Sequence, residues 1–318
     1  MNRELDPISG RAVRVALDIG LLDLLSKSPR SLDELAEGCA CSPRGLRPLL
    51  YLLASVDLLR LKGAGFVLAP GAMRYIEKKW PSAWAAFPVI PEYEGLEQAV
   101  RSGTPLRLPV EGEGDGGDFF TGVVPALFAM HWPEANWLAE RIPAQVNRVL
   151  DLGAGSGVWS LALAKLRPHV RVVAVDRRKV LDEVTSAFLI EHDVLGQYEL
   201  RAGDYHIVEL EPEGFDLVYL GHLLHADGWA LSRHLLSRAF SAISPGGYLA
   251  VAEILASEPR NKDYAANVFD LNMLMLTENG VVFTAKELVG LLAETGFESS
   301  QWMAGPGDYP ILLARKGA

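Results

Sequence analysis

From Val146 to the C-terminus, short uninterrupted apolar runs alternate with segments of helical periodicity. The order is NRVLDLG, a helix over 157–167, VRVVAVD, a helix over 178–192, YELRAGD, FDLVYLG, a helix over 228–243, GGYLAVAEI, a helix over 284–295, then PILLARK. A strand with one wet face alternates apolar and polar side chains, whereas these runs are apolar throughout and predict burial on both faces. Strands covered on both sides and separated by helices build a doubly wound α/β sheet of mostly parallel strands.

In such a sheet, ligand groups gather at the carboxyl ends of the strands. Three clusters fall there. VLDLGAGSGVW carries Asp151 at a strand end, then Gly153, Gly155 and Gly157 before a helix, so backbone can approach a ligand closely. This spacing differs from the G-x-G-x-x-G of dinucleotide enzymes, and the Asp151 carboxylate disfavours a pyrophosphate and favours a cationic cofactor. Asp176 ends the second strand, where a carboxylate can accept both hydroxyls of a ribose, with Arg177 beside it. The third strand ends in Gly203, Asp204 and Tyr205.

The N-terminal part reads differently. Val13, Leu17, Leu21, Leu22 and Leu25 make the stripe of one amphipathic helix over 10–26. Ser31 and Glu34 form a capping box, and Ser42 with Pro43 opens a third helix, LRPLLYLLASVDLL, which Pro48 should kink or delay. RLKGAGFVLAP predicts a hairpin, completing the order of a winged helix. Its third helix offers leucines and only Arg44 and Arg47 as cations, so it is built for burial in its own core or against a second subunit, not for reading a DNA groove. Apolar surplus in residues 1–60 therefore predicts a homodimer. Residues 80–106 read as an irregular helical linker, and Val110–Asp118 as a Gly-rich acidic surface loop or a lid. The resulting division is a winged-helix dimerisation domain at 1–79, a linker and substrate-lining segment at 80–139, and a catalytic domain at 140–318.

A chain of 318 residues is too long for one core. Its 40 acidic and 30 basic side chains give a charge of −10, which opposes nucleic-acid binding and suits a small-molecule partner. Cys39 and Cys41 have spacing unsuited to a disulfide or a zinc site and are expected to be reduced. No apolar run is long enough to cross a membrane and MNRELDPISG lacks the apolar core of a leader, so a cytoplasmic location is expected.

The D-x-G-x-G-x-G run, the acidic end of the second strand and the G-D pair of the third resemble class I S-adenosylmethionine methyltransferases. AGDYH, LGHLLHAD, SPGGYLAVAE and FDLNMLMLTENGVVFTAKELVGLLAETGF extend the likeness over nearly the whole chain to the plant-type O-methyltransferases, which include acetylserotonin-type and bacterial natural-product enzymes. That resemblance implies a Rossmann-like, mostly parallel seven-stranded sheet with an antiparallel last strand, a dimerisation domain, S-adenosyl-L-methionine as cofactor and S-adenosyl-L-homocysteine as product. His222, His225 and Asp227 are residue types that could ligate a metal, but the separated carboxyl residues of magnesium-dependent methyltransferases are not evident, so no metal is expected. It places Asp151, Gly153, Gly155 and Gly157 at the methionine moiety, Asp176 at the ribose, and Asp204 with Tyr205 at the adenine.

The resemblance also implies a catalytic base at His225, a residue type whose ordinary pKa suits accepting a phenol proton. The family's usual H-D-W run is H-A-D here, and an assisting acid is replaced by Val282, so Asp227 is the expected orienting group. An acceptor already nucleophilic would need no base, which keeps N-, S- or C-methylation open beside O-methylation, and an inactive ligand-binding regulator is the reading from another class. Phe128, Met130, His131 and Trp132 are expected along one wall of the acceptor pocket, His222 in its lining, and Asn267, Asp270, Asn272 and Met273 along the opposite wall. Such aromatic and Met walls suit a flat, lipophilic molecule.

Overall fold

In the computed structural model, residues 6–70, 72, 93–105, 117–307 and 310–318 are described. The chain divides into two units, Met1–Leu108 with Leu255–Thr284, and Pro109–Ile254 with Ala285–Ala318. Residues 80–92 and 106 of the expected linker, and 110–116 of the expected loop, lie outside the described residues.

In the first unit, the Asp6 carboxylate caps α1 (Pro7–Asp18) by accepting the N–H groups of Ile8 and Ser9 at 3.0 and 3.1 Å. The single helix expected over 10–26 is two. Gly20, at φ +74°, turns the chain into α2 (Leu21–Leu25), a conformation only glycine adopts at little cost. The Ser31–Glu34 capping box opens α3 (Leu32–Gly38). Helix α4 (Pro43–Ser55) continues through Pro48, and its N-cap Ser42 makes no side-chain bond to the helix. β1 (Leu59–Lys62) and β2 (Gly65–Leu68) pair antiparallel as the wing, and α5 (Leu96–Ser102) follows.

Leu46, Leu49, Leu50, Leu52 and Leu53 of α4 are fully buried. They share one core with Leu271, Leu274 and Met275 of α10 (Tyr264–Leu276), each such burial stabilising by about 1.5–3 kcal/mol. Burial of α4 in the chain's own core is the first of the two alternatives its sequence allowed. One expectation is corrected: 255–284 packs with the N-terminal elements, interrupting the expected 140–318 domain.

The second unit contains α6 (Gly117–Ala139), β3 (Arg148–Leu152), α7 (Val158–Leu166) and β4 (Arg171–Asp176). Next come α8 over 178–191, with a π-turn at Leu181–Thr185, and β5 (Tyr198–Ala202). β6 (Phe215–Gly221), α9 (Leu224–Ala242), β7 (Ile243–Ala252), α11 (Ala285–Glu294), β8 (Ser299–Met303) and β9 (Ile311–Arg315) complete it. One seven-stranded sheet runs β5-β4-β3-β6-β7-β9-β8. β5, β4, β3, β6 and β7 pair in parallel, and β9 lies antiparallel to both β7 and β8, the expected fold class. β8, SSQWM, has three exposed residues of five and hence no apolar run to announce it. Strand order changes direction at β3, with β4 on one side and β6 on the other, and the crevice outside that point is where a doubly wound sheet takes its ligand.

Candidate active site

A cavity of about 210 Å³ opens at the carboxyl ends of β3, β4 and β6. Gly153 and Gly155 line it, both at positive φ. A Cβ on Gly153 would stand 2.5 Å from the Leu223 side chain, so the turn is packed to its limit on glycine. Asp176 also lines the cavity; its Oδ2 accepts the Gly155 N–H at 2.8 Å and its Oδ1 the Arg177 N–H at 2.7 Å, tying the end of β4 to the glycine turn. Arg177 and Tyr205 reach the same space. Gly157 caps α7 and, like Gly203 and Asp204, is not on the cavity wall; the Asp204 carboxylate accepts the His206 N–H at 2.8 Å.

Asp151 is on the other side of the turn. It is 2% exposed and does not line the cavity; its Oδ2 accepts the Ser160 hydroxyl at 2.5 Å, and that hydroxyl lies 2.9 Å from the Tyr198 hydroxyl. Burial pushes its carboxyl up to about 7.

His225 lines the cavity from the first turn of α9, and its Nδ1 lies 2.7 Å from Oε2 of Glu253. Glu253 follows directly on β7, is 2% exposed, and accepts the Leu224 N–H on Oε1 at 2.7 Å. A carboxylate on Nδ1 selects the tautomer with the proton on that nitrogen and the basic lone pair on Nε2. The expectation that Asp227 orients His225 is therefore corrected. Asp227 accepts from the Tyr205 hydroxyl at 3.3 Å and meets His206 Nε2 at 3.1 Å, a bond that raises the His206 pKa.

The wall from α6 is a stripe of Phe120, Val124, Leu127 and His131, spaced as one helix face. Of the four α6 residues singled out in the sequence, only His131 is on it. Phe128 stacks on Phe188 at 4.1 Å and on Trp132 at 5.1 Å, Trp132 also meets His192 at 4.9 Å, and Met130 is 60% exposed. The His131 register, read back at three and four residues, would have found the other three. His131 stacks on His222 at 4.3 Å beside Trp159. Desolvation lowers the His131 pKa to about 4 and the His222 pKa far below its ordinary value, so both rings are neutral near pH 7.

The residues expected on the opposite wall belong to the first unit. Asn267 is fully buried and donates to the carbonyls of Tyr51 and Arg260, and the Asn272 amide oxygen accepts the Tyr93 hydroxyl at 2.5 Å. Asp270 accepts from Arg260 and Arg47 at 3.0 and 3.3 Å and from the Val282 N–H at 2.7 Å. Met273 and Val282 share a small apolar cluster. Glu253 was not singled out as a site residue; its signal was an acid closing the apolar run YLAVA.

Residues 138–298 match the O-methyltransferase domain, and residues 8–78 the O-methyltransferase dimerisation domain. The tetracenomycin polyketide synthesis 8-O-methyl transferase TcmO of Streptomyces glaucescens is 27% identical over 96% of this chain and 93% of its own length. Acetylserotonin O-methyltransferase of Homo sapiens is 26% identical, over 95% and 92%. Among solved structures, an O-methyltransferase family 2 protein from Planctomyces limnophilus in complex with apigenin superposes with a TM-score of 0.76 at 20% identity, covering 99% of this chain and 97% of its own. Human N-acetylserotonin methyltransferase in complex with SAM does so at 0.60 and 23% identity, covering 98% and 95%.

Proposed function

Because the chain belongs to the O-methyltransferase family and is S-adenosylmethionine-dependent, we propose that it methylates a hydroxyl of a small, lipophilic, aromatic acceptor with His225 as base and Glu253 as its positioning residue. The observation that carries this reading is the 2.7 Å contact of His225 Nδ1 with the buried Glu253 carboxylate. When bound, S-adenosylmethionine supplies an electrophilic methyl group on a sulfonium.

The lining of the cavity fits that cofactor, since Gly153 and Gly155 bring backbone without side chains to its wall and the Asp176 carboxylate stands beside them. Asp176 would hold the ribose hydroxyls and Tyr205 would flank the adenine. The chain's other task is to bring the acceptor hydroxyl to His225, whose Nε2 takes the proton while the Glu253 carboxylate stabilises the imidazolium that forms. Phe120, Val124, Leu127 and Trp159 exclude water from that contact. Holding the acceptor oxygen in near-attack position supplies much of the remaining acceleration. A homodimer made through residues 8–78 and a cytoplasmic location belong to the same reading. Among the described residues no helix is long and apolar enough to cross a membrane.

A panel of polycyclic phenols, flavonoids and hydroxyindoles incubated with isotopically labelled S-adenosylmethionine should yield labelled aryl methyl ethers by mass spectrometry. Label found only on nitrogen, sulfur or carbon across that panel would contradict O-methylation.

A further inference from the structure

We propose that His222, His225 and Glu253 form a binding site for a divalent cation of the zinc, cobalt(II) or nickel(II) class, and that the bound cation silences methyl transfer. The site stands on geometry; the silencing rests on the reading of His225 as base.

One ring nitrogen of His222, one of His225 and one carboxylate oxygen of Glu253 lie within 4.8 Å of one another. Two imidazoles and a carboxylate are a donor set that suits zinc-class ions over magnesium or calcium. Metal bonds of about 2.0–2.2 Å place donors roughly 3–3.5 Å apart, so small side-chain rotations close the set.

The three groups are already supported as ligands need to be. Oε1 of Glu253 is held by the Leu224 N–H, which aims Oε2 at His225. His222 sits on the turn between β6 and α9 at φ +58°, a conformation costly for a residue with a Cβ. Its N–H donates to the Ala252 carbonyl at 2.8 Å, and its ring is stacked on His131. That strained turn delivers two imidazoles, three residues apart, to the same cavity. The buried Glu253 carboxylate supplies the charge that attracts a cation, and the cavity gives it an entry and a further coordination position for water.

Coordination through His225 Nδ1 moves the proton of that nitrogen to Nε2, so the ring stays neutral but loses its free Nε2 lone pair, and it ties both His225 and the ionised Glu253 to the metal. The base is then unable to act, a loss of about 10²- to 10⁴-fold in the proton-transfer contribution.

The test is a cobalt(II) titration of the full-length protein followed by visible absorbance. The expected result is one cobalt per chain with ligand-field bands of a four- or five-coordinate site, displaced by zinc and lost in both His222→Asn and Glu253→Gln. X-ray absorption of the wild-type zinc complex should count two imidazoles and at least one oxygen, a readout that does not depend on the variants folding. Absence of the bands, their survival in His222→Asn, or fewer than two imidazoles would overturn the site. With the site saturated by zinc, methyl transfer should fall at least tenfold and recover with a chelator, and an unchanged rate would overturn the silencing. A near-normal rate in His225→Asn would instead mark failure of the base reading, while the cobalt spectrum would still report on the site.

Discussion

Asp151 is the residue whose place in the sequence and place in the structure point to different work. It ends β3 as a ligand carboxylate should, yet its side chain turns to Ser160 behind the glycine turn. Burial raises its pKa from 3.8 to about 7, so the folded chain holds this proton more tightly than the unfolded chain. The group therefore favours folding fully below about pH 4, and that contribution is lost as pH rises toward 7. Asn keeps the shape without a charge. Relative to wild type, Asp151→Asn should gain in melting temperature as pH is raised from 4 to 8 in the cofactor-free protein. A difference constant across that range would show that the carboxyl does not titrate there.

At the scale of elements, α10 connects sequence to packing through one buried acid. Asp270 was expected on the acceptor wall, but its partners Arg47 and Arg260 lie 223 and 10 residues away in the chain. Spacing along a helix cannot reveal a partner at that distance, so a lining role was the expectation. In the structure the carboxylate joins α4, the 260 turn and the Val282 backbone. Asp270→Ala removes the common acceptor of two guanidinium groups and a buried amide, which should cost about 3–5 kcal/mol in urea unfolding. A loss below about 1 kcal/mol would mean the network contributes little. The α6 wall failed to be legible for a related reason. Its apolar residues cover several faces, and only packing against α7 and α8 decides that Leu127 and His131 face the cavity while Phe128 packs on Phe188.

For the whole molecule, the doubly wound sheet and the glycine turn were legible because continuous apolar strands and glycine spacing are local properties of the sequence. The assignment of 255–284 to the first unit was not, since it depends on α10 burying leucines of α4 more than two hundred residues earlier. Glu253 was missed likewise, because its meaning comes from lying one strand over from His225. With a dimerisation domain at residues 8–78, light scattering at micromolar concentration should give twice the 34.6 kDa chain mass, and a stable monomer would contradict the dimer. The central claim is that the His225–Glu253 pair takes the acceptor proton, and single-turnover methyl transfer to a phenolic acceptor tests it most directly, with cofactor affinity measured alongside. His225→Asn should slow transfer by about 10²- to 10⁴-fold while S-adenosylmethionine binding is retained. A near-wild-type rate in a folded, cofactor-binding His225→Asn variant would contradict it.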